Sequence, residues 1–241
     1  KELGIVDERE FWTLAVGREL TDPPRYAEDF LGSKLMQNWE DALEDAIDAD
    51  AAQLNLAYVS AEPELYSWYY RDREDEESDL SNLPLTAYLI NLGMTSMNAP
   101  LDVRILDTVG LATPIAARMP RDPKGRVGHD KFLDPAWQAA DTDTYLDGLP
   151  PFISSMRAKQ ARAALRSPEI SELLATSREP MSWERFWKNV RYSLSDGRTL
   201  QLSSDPGLYI DADTRRAIRR GANPGMDGAQ LAWPVEAHAR K

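Results

Sequence analysis

The chain has 241 residues, 42% of them hydrophobic and 28% charged, a balance typical of folded domains and not of low-complexity chains. It contains no cysteine and only two histidines, which excludes disulfides, thiolate catalysis and Cys- or His-rich metal centres. The net charge of −12 is uneven. Residues 1–80 hold 22 acidic and seven basic side chains against 18 and 21 in the remainder, so the front of the chain disfavours nucleic acid and anionic membranes.

In chain order, Asp7 and Glu10 form a capping-box pair. They predict a helix from Glu8 to about Leu20, with Phe11, Leu14 and Ala15 as its apolar face. A short helix over Arg25–Leu31 follows the break at Asp22-Pro23-Pro24. Leu35, Trp39, Leu43 and Ile47 then recur every four residues and predict a helix over Leu35–Asp50. Its other face carries Glu40, Asp41, Glu44, Asp45 and Asp48, with no basic residue before Arg71 to pair with them. A strand is expected over Leu54–Val59. Glu62-Pro63 reads as the start of a helix bearing Leu65, Tyr66, Trp68, Tyr69 and Tyr70. The wholly polar run Arg71–Asp79 reads as a loop.

Ser81 and Pro84 suggest a helix with Leu85, Tyr88, Leu89 and Leu92 inward, and Leu101, Val103 and Ile105 suggest a strand. A short helix is expected near Pro114–Met119. The basic loop 118–131 has Gly125 and Gly128 but lacks the Walker spacing. Asp134-Pro135 opens a helix bearing Trp137. Asp141, Asp143 and Asp147 resemble half of a calcium loop, but Phe152 stands where the liganding glutamate belongs, so no metal is expected.

Pro150-Pro151 suggests a division into residues 1–149, acidic and helical with short strands, and residues 150–241. The second part should hold a helix over Phe152–Leu165 with Arg157, Lys159, Arg162 and Arg166 outward. Helices capped by Ser167 and Ser182 come next. A hairpin over Val190–Ser203 turning at Gly197 and a strand over Leu208–Ile210 should follow. Asp211 or Asp213 then caps a helix with Arg215, Arg216, Arg219 and Arg220, ended by Gly221. The tail, rich in Gly, Pro and Ala, reads as loosely ordered. The fold class is therefore α+β, mostly α, with several short helices and a small antiparallel sheet.

No stretch carries a G-x-S-x-G elbow or an H-E-x-x-H pair, and none carries the signature of a known family. The expected function is a non-enzymatic bacterial interaction protein of the immunity, adaptor or assembly type. It would be soluble, cytoplasmic or periplasmic, and would dock a basic protein surface. The docking residues are Glu40, Asp41, Glu44, Asp45 and Asp48 together with Tyr66, Trp68, Tyr69 and Tyr70. Arg215, Arg216, Arg219 and Arg220 are candidate anion ligands, and acidic and basic faces would also let two copies associate. No cofactor and no membrane span are expected. The alternative is a hydrolase using paired carboxylates with His129. The Arg-over-Lys usage and the abundance of Ala, Asp, Leu and Pro suggest a GC-rich bacterial source.

Overall fold

A computed structural model describes residues 8–73, 83–126 and 128–222. In chain order the elements are α1 (Glu8–Ala15), α2 (Trp39–Asp48), β1 (Gln53–Ala61), β2 (Glu64–Arg71), β3 (Thr86–Tyr88), α3 (Leu92–Ser96), β4 (Arg104–Leu106), α4 (Pro114–Arg118), α5 (Pro135–Ala140), α6 (Ser155–Ala164), α7 (Pro168–Arg178), α8 (Trp183–Leu194), α9 (Asp196–Thr199) and α10 (Ala212–Arg219). Short 3-10 turns occupy Ala27–Gly32, Lys34–Met36, Leu146–Gly148 and Pro206–Tyr209. The class is α+β, mostly α, as the periodicities indicate.

The sheet runs β2-β1-β3-β4. Only β1 and β2 are antiparallel; β3 joins β1, and β4 joins β3, in parallel. The aromatic stretch after Pro63 is thus a strand and not a helix. Glu62-Pro63 is a cis peptide at the tip of a hairpin, and Tyr66, Trp68 and Tyr70 alternate with Leu65, Ser67 and Tyr69 at the two-residue period of a strand. Thr86–Tyr88, expected as helix, is a wholly buried strand.

The sheet's two faces carry different cores. Against one lies α2, whose Trp39, Ala42, Leu43 and Ala46 are buried at i, i+3, i+4 and i+7 with Leu54, Trp68 and Ala87 of the strands. Trp39 meets Trp68 edge to face, ring centroids 4.7 Å apart. The two indole N–H groups donate to the carbonyls of Asn98 (2.9 Å) and Leu35 (2.8 Å). The left-handed Asn38 holds Trp68 from the side: its Oδ1 accepts the Trp68 N–H and its Nδ2 donates to the Trp68 carbonyl. The predicted helix over Leu35–Asp50 therefore begins at Trp39, after a 3-10 turn. Against the other face lie Tyr88, Leu106, Ile115, Leu133 and Trp137 with Ala161, Leu165, Ile170 and Leu174 of α6 and α7. This core joins residues from both sides of Pro150.

Other expectations change in detail. α1 stops at Ala15 before the left-handed Gly17, and its Phe11 and Leu14 are exposed while Thr13 is buried. Its predicted cap, Asp7, lies outside the described residues, as do most of the charge run, Ser81 and the tail beyond 222. Strand β4 begins at Arg104, so Leu101 is 96% exposed and Arg104 points inward. Lys159 and Arg162 of α6 are buried rather than outward. The predicted hairpin over Val190–Ser203 is absent, because α8 runs on to Leu194 and α9 follows directly. Gly197 lies under the Tyr192 ring there, not in a strand turn. Leu208–Ile210 is not a strand, since a 3-10 turn covers it as far as Tyr209. No helix among the described residues is long and apolar enough to cross a membrane.

Candidate functional site

The second face of the sheet carries polar side chains as well as a core. Its centre is Asp141, the residue that caps the C-terminus of α5, which is fully buried. Arg178 of α7 donates to both carboxylate oxygens at 2.7 Å. Tyr88 of β3 donates its hydroxyl at 3.0 Å, and Arg104 of β4 lies 3.6 Å away and donates to the Asp141 carbonyl. Burial pushes the Asp141 carboxyl up, but Arg178 and Arg104 beside it hold it below the ordinary value. Asp143 pairs with Arg73, yet its burial holds it above the ordinary value. The three aspartates of the supposed calcium loop are therefore cation anchors: Asp141 and Asp143 hold arginines, and Asp147 pairs with Lys159 at 2.7 Å. Among the described residues no group of three acidic or histidine side chains is placed to hold a metal ion.

The network extends outward. Arg162 donates to the carbonyls of Thr142 (3.0 Å) and Thr144 (2.6 Å), and the Thr144 hydroxyl lies 3.3 Å from Gln53 Oε1. Arg71 donates to the same Gln53 oxygen at 3.3 Å and to the Tyr69 hydroxyl at 3.2 Å. Because Gln53 pairs with Arg71 and Asn55 with Tyr69 across β1 and β2, all four share one sheet face. That face is the floor of a groove of about 400 Å³, with walls formed by Tyr88–Ile90, Thr108, Phe132, Pro135, Gln138, Phe152 and Ile153. The Leu133 N–H donates to the Thr108 carbonyl (2.8 Å), which fixes the chain beside Phe132, and Gln138 Nε2 donates to the Leu133 carbonyl (2.7 Å). Phe132 and Phe152 are exposed, the latter at 77%. A second cleft, of about 490 Å³, shares Tyr69 and Arg71 with the first and continues to Tyr70, Asp72, Arg73 and Tyr145.

Aromatic rings stand along both clefts with amides and a guanidinium between them. Among the described residues lining the first groove there is no carboxylate and no histidine, and Arg71 is the one ionised group. Such a surface takes a ligand with apolar faces and hydroxyl edges.

At the edge of this groove the turn after β4 hangs on Asp107. Its carboxylate accepts backbone N–H groups from Val109, Gly110, Leu111, Ala112 and Thr113. Burial raises its pKa, but these bonds outweigh it and leave the carboxyl below the ordinary value. A carboxyl depressed in the fold, such as Asp107 or Asp141, adds stability that is whole above its unfolded pKa and is lost as pH falls through its folded pKa. Asp143, raised in the fold, has the opposite sign: its contribution is whole below its unfolded pKa and lost as pH rises through its folded pKa. Two outweigh one, so Tm is expected to fall below about pH 4. Asp107→Asn should lower Tm at neutral pH by roughly 5 °C, from about 2 kcal/mol, and flatten the acid limb in thermal melts. An acid limb as steep as that of the unsubstituted chain would exclude Asp107 as its source.

Of the sequence-based candidates, only Tyr69 and Tyr70 reach these clefts. Trp68 is core, and Tyr66 lies on the strand pair with Tyr58 while donating to Glu64 (3.0 Å). Glu40, Asp41, Glu44, Asp45 and Asp48 are exposed on α2 and away from the groove. Arg215 turns back to the carbonyls of Gly207 and Ile210, and Arg216 pairs with Asp213, so the four arginines form no common anion site. His129 lies beside Arg126 on the basic loop, with no carboxylate partner among the described residues. Gln53, Asn55, Arg71, Phe132, Gln138 and Phe152 were missed. The usable signal was the alternation of Gln53, Asn55 and Ala57 against Leu54, Leu56 and Tyr58 in β1.

The chain is 43% identical over 237 residues to a protein of Corynebacterium glutamicum named terminal beta-(1->2)-arabinofuranosyltransferase, covering 96% of this chain and 34% of that one. A protein of the same name from Mycobacterium tuberculosis is 40% identical over 108 residues, 44% of this chain and 17% of that protein. The chain thus spans about a third of the length of the first relative. No solved structure matches it. Both relatives are bacterial, and both are named as enzymes, which overturns the expectation of a non-enzymatic adaptor or immunity protein. Residues 32–212 match the AftB family C-terminal domain, more than half of the chain, and the chain belongs to that family.

Proposed function

We propose that this domain holds the arabinofuranose-bearing glycan of a terminal β-(1→2)-arabinofuranosyl transfer, in the groove between Tyr69, Arg71, Phe132, Gln138 and Phe152. The observation that supports this reading is the pairing of exposed aromatic rings in the groove walls, Phe132 and Phe152, with the amide and guanidinium donors of Gln53, Asn55 and Arg71 on the sheet face. Furanose rings present C–H faces to aromatic rings and hydroxyls to amides. Glycosyl transfer also needs a group that takes the acceptor hydroxyl proton. Among the described residues the groove lining has no carboxylate or histidine to do so, and the role proposed for it is binding and positioning.

Titration of the chain with β-(1→2)-linked arabinofuranosyl oligosaccharides, followed by calorimetry or NMR, is expected to show saturable binding that glucose oligomers do not reproduce. Phe152→Ala should weaken it about fivefold, since a lost stacking contact is worth roughly 1 kcal/mol. That side chain is exposed, so the fold should be unchanged. A folded chain with no saturable binding at millimolar sugar would end this reading.

A further inference from the structure

The basic loop over residues 118–131 contributes none of its charged side chains to the glycan groove. The fold gives that loop a neighbour from far along the chain. The Leu202 N–H donates to the Arg118 carbonyl at 2.8 Å, which lays the segment after α9 along the end of α4. Leu200 and Leu202 pack on the core that holds Ile115 and Met119, so both segments are fixed from below. Between them opens a cleft of about 570 Å³, whose polar lining is Arg118, Arg121, Lys131, Arg198, Thr199 and Gln201. Among the described residues that lining holds four cations and no carboxylate.

Two of the four cations are pinned in place. Lys131 Nζ donates to the Ala117 carbonyl at 2.7 Å, and Arg121 pairs with Asp130 at 3.1 Å. The other two, Arg118 and Arg198, make no side-chain hydrogen bond and no ion pair among the described residues. Asp130 offsets one of the four charges, so the cleft keeps an excess of three positive charges on a chain of net charge −12. Like charges gathered round one cleft repel, and a bound anion relieves that repulsion. A carboxylate offers two oxygens and a single charge. A phosphate group offers three oxygens and up to about two charges, and guanidinium forks meet it in bidentate fashion, so it suits cations that arrive from two segments. The cleft is of small-molecule size and larger than a phosphate group alone. Thr199 and Gln201 add a hydroxyl and an amide for the remainder of a ligand.

We propose that this cleft binds a phosphate group, with Arg118 and Arg198 donating to it from the two segments and Lys131 as a third, fixed charge. No residue lines both this cleft and the glycan groove, so the inference is independent of that reading.

The test is titration of the 241-residue chain with inorganic phosphate and with ribose 5-phosphate, followed by NMR of the backbone amides, with acetate as the carboxylate control. Saturable shifts centred on residues 117–121, 131 and 198–201 are expected, weakening as salt rises. Tighter binding of ribose 5-phosphate would make a phosphate ester the ligand, and equal or looser binding would make it free phosphate. Arg118→Gln and Arg198→Gln should each weaken binding at least about tenfold, as the loss of a charged hydrogen bond does. Arg198 is exposed, so its variant should fold as the parent does, and circular dichroism checks both. Arg219→Gln with Arg220→Gln, outside the cleft, should leave binding unchanged. Four results would overturn the proposal: no saturable shifts at millimolar phosphate, shifts spread over every basic patch, acetate bound as tightly as phosphate, or the Arg219 and Arg220 changes weakening binding as much as Arg198→Gln.

Discussion

Replacing Asp141 with alanine is expected to remove about 3–5 kcal/mol of stability, a large part of the roughly 5–15 kcal/mol that a domain possesses. The carboxylate is fully buried, and Arg178, Arg104 and Tyr88 all direct donors at it. Removing it leaves two buried guanidinium groups without their counter-charge and a buried hydroxyl without its acceptor. Truncating one member of a buried ion pair costs far more than the pair contributes relative to an apolar pair of similar volume. Asp141→Ala should therefore lower Tm by about 10 °C or more. Asp141→Ala combined with Arg178→Met should cost less than the sum of the single changes, because the second removes one of the stranded charges. Differential scanning calorimetry of the four proteins measures this coupling. A single-variant Tm within about 2 °C of the parent would show that the buried cluster carries no such load.

That cluster also explains why the fold class was readable and the site was not. Apolar periodicity located α2, and turn and cap residues marked several starts: Asp134, Ser182 and Asp211 accept the expected backbone N–H, whereas Ser167 stands at the start of α7 without a side-chain cap bond. Periodicity failed wherever charged side chains point inward. Arg104, Lys159, Arg162, Arg178 and Arg185 are buried because carboxylates or carbonyls from distant segments meet them. Asp141 meets Arg178 across 37 positions and Arg73 meets Asp143 across 70. No local pattern reports such a pair. The same blindness placed Lys159 and Arg162 on the outer face of α6.

The aromatic run after Pro63 fits helix and strand almost equally well, since five of its residues are large and apolar. Only the partner strand β1 decides for alternation, and its register places Trp68 in one core and Tyr69 in the groove. The groove itself draws on β1, β2, the loops around Thr108 and Phe132, α5 and the Phe152 segment. Each contributes at most three residues, as does the Tyr88–Ile90 segment, too few to leave a motif. The acidic face of α2, the strongest local signal in the sequence, is a solvated surface of a helix held by its Trp39 side.

Gly110→Ala is expected to cost about 3 kcal/mol or more, from two causes that add. Gly110 has φ +90°, where an L side chain costs roughly 1–2 kcal/mol. A Cβ there would also collide with the Ala117 backbone and lie 2.8 Å from the Ala116 carbonyl carbon, and the backbone of α4 cannot yield as a side-chain tip can. The turn must then shift, and with it the N–H groups that converge on Asp107, each charge-assisted bond being worth about 1.5–3 kcal/mol. Gly17→Ala is the control: φ is +73° but nothing stands within 4 Å of the new Cβ, so only the conformational cost of about 1 kcal/mol remains. The difference reaches the groove, because the Thr108 carbonyl of this turn holds the Leu133 N–H next to Phe132. Gly110→Ala should thus lower both Tm and glycan affinity, while Gly17→Ala should lower Tm slightly and leave affinity alone. Equal melting temperatures for the two variants would mean that the turn yields freely, and that Asp107 does not set the position of Phe132.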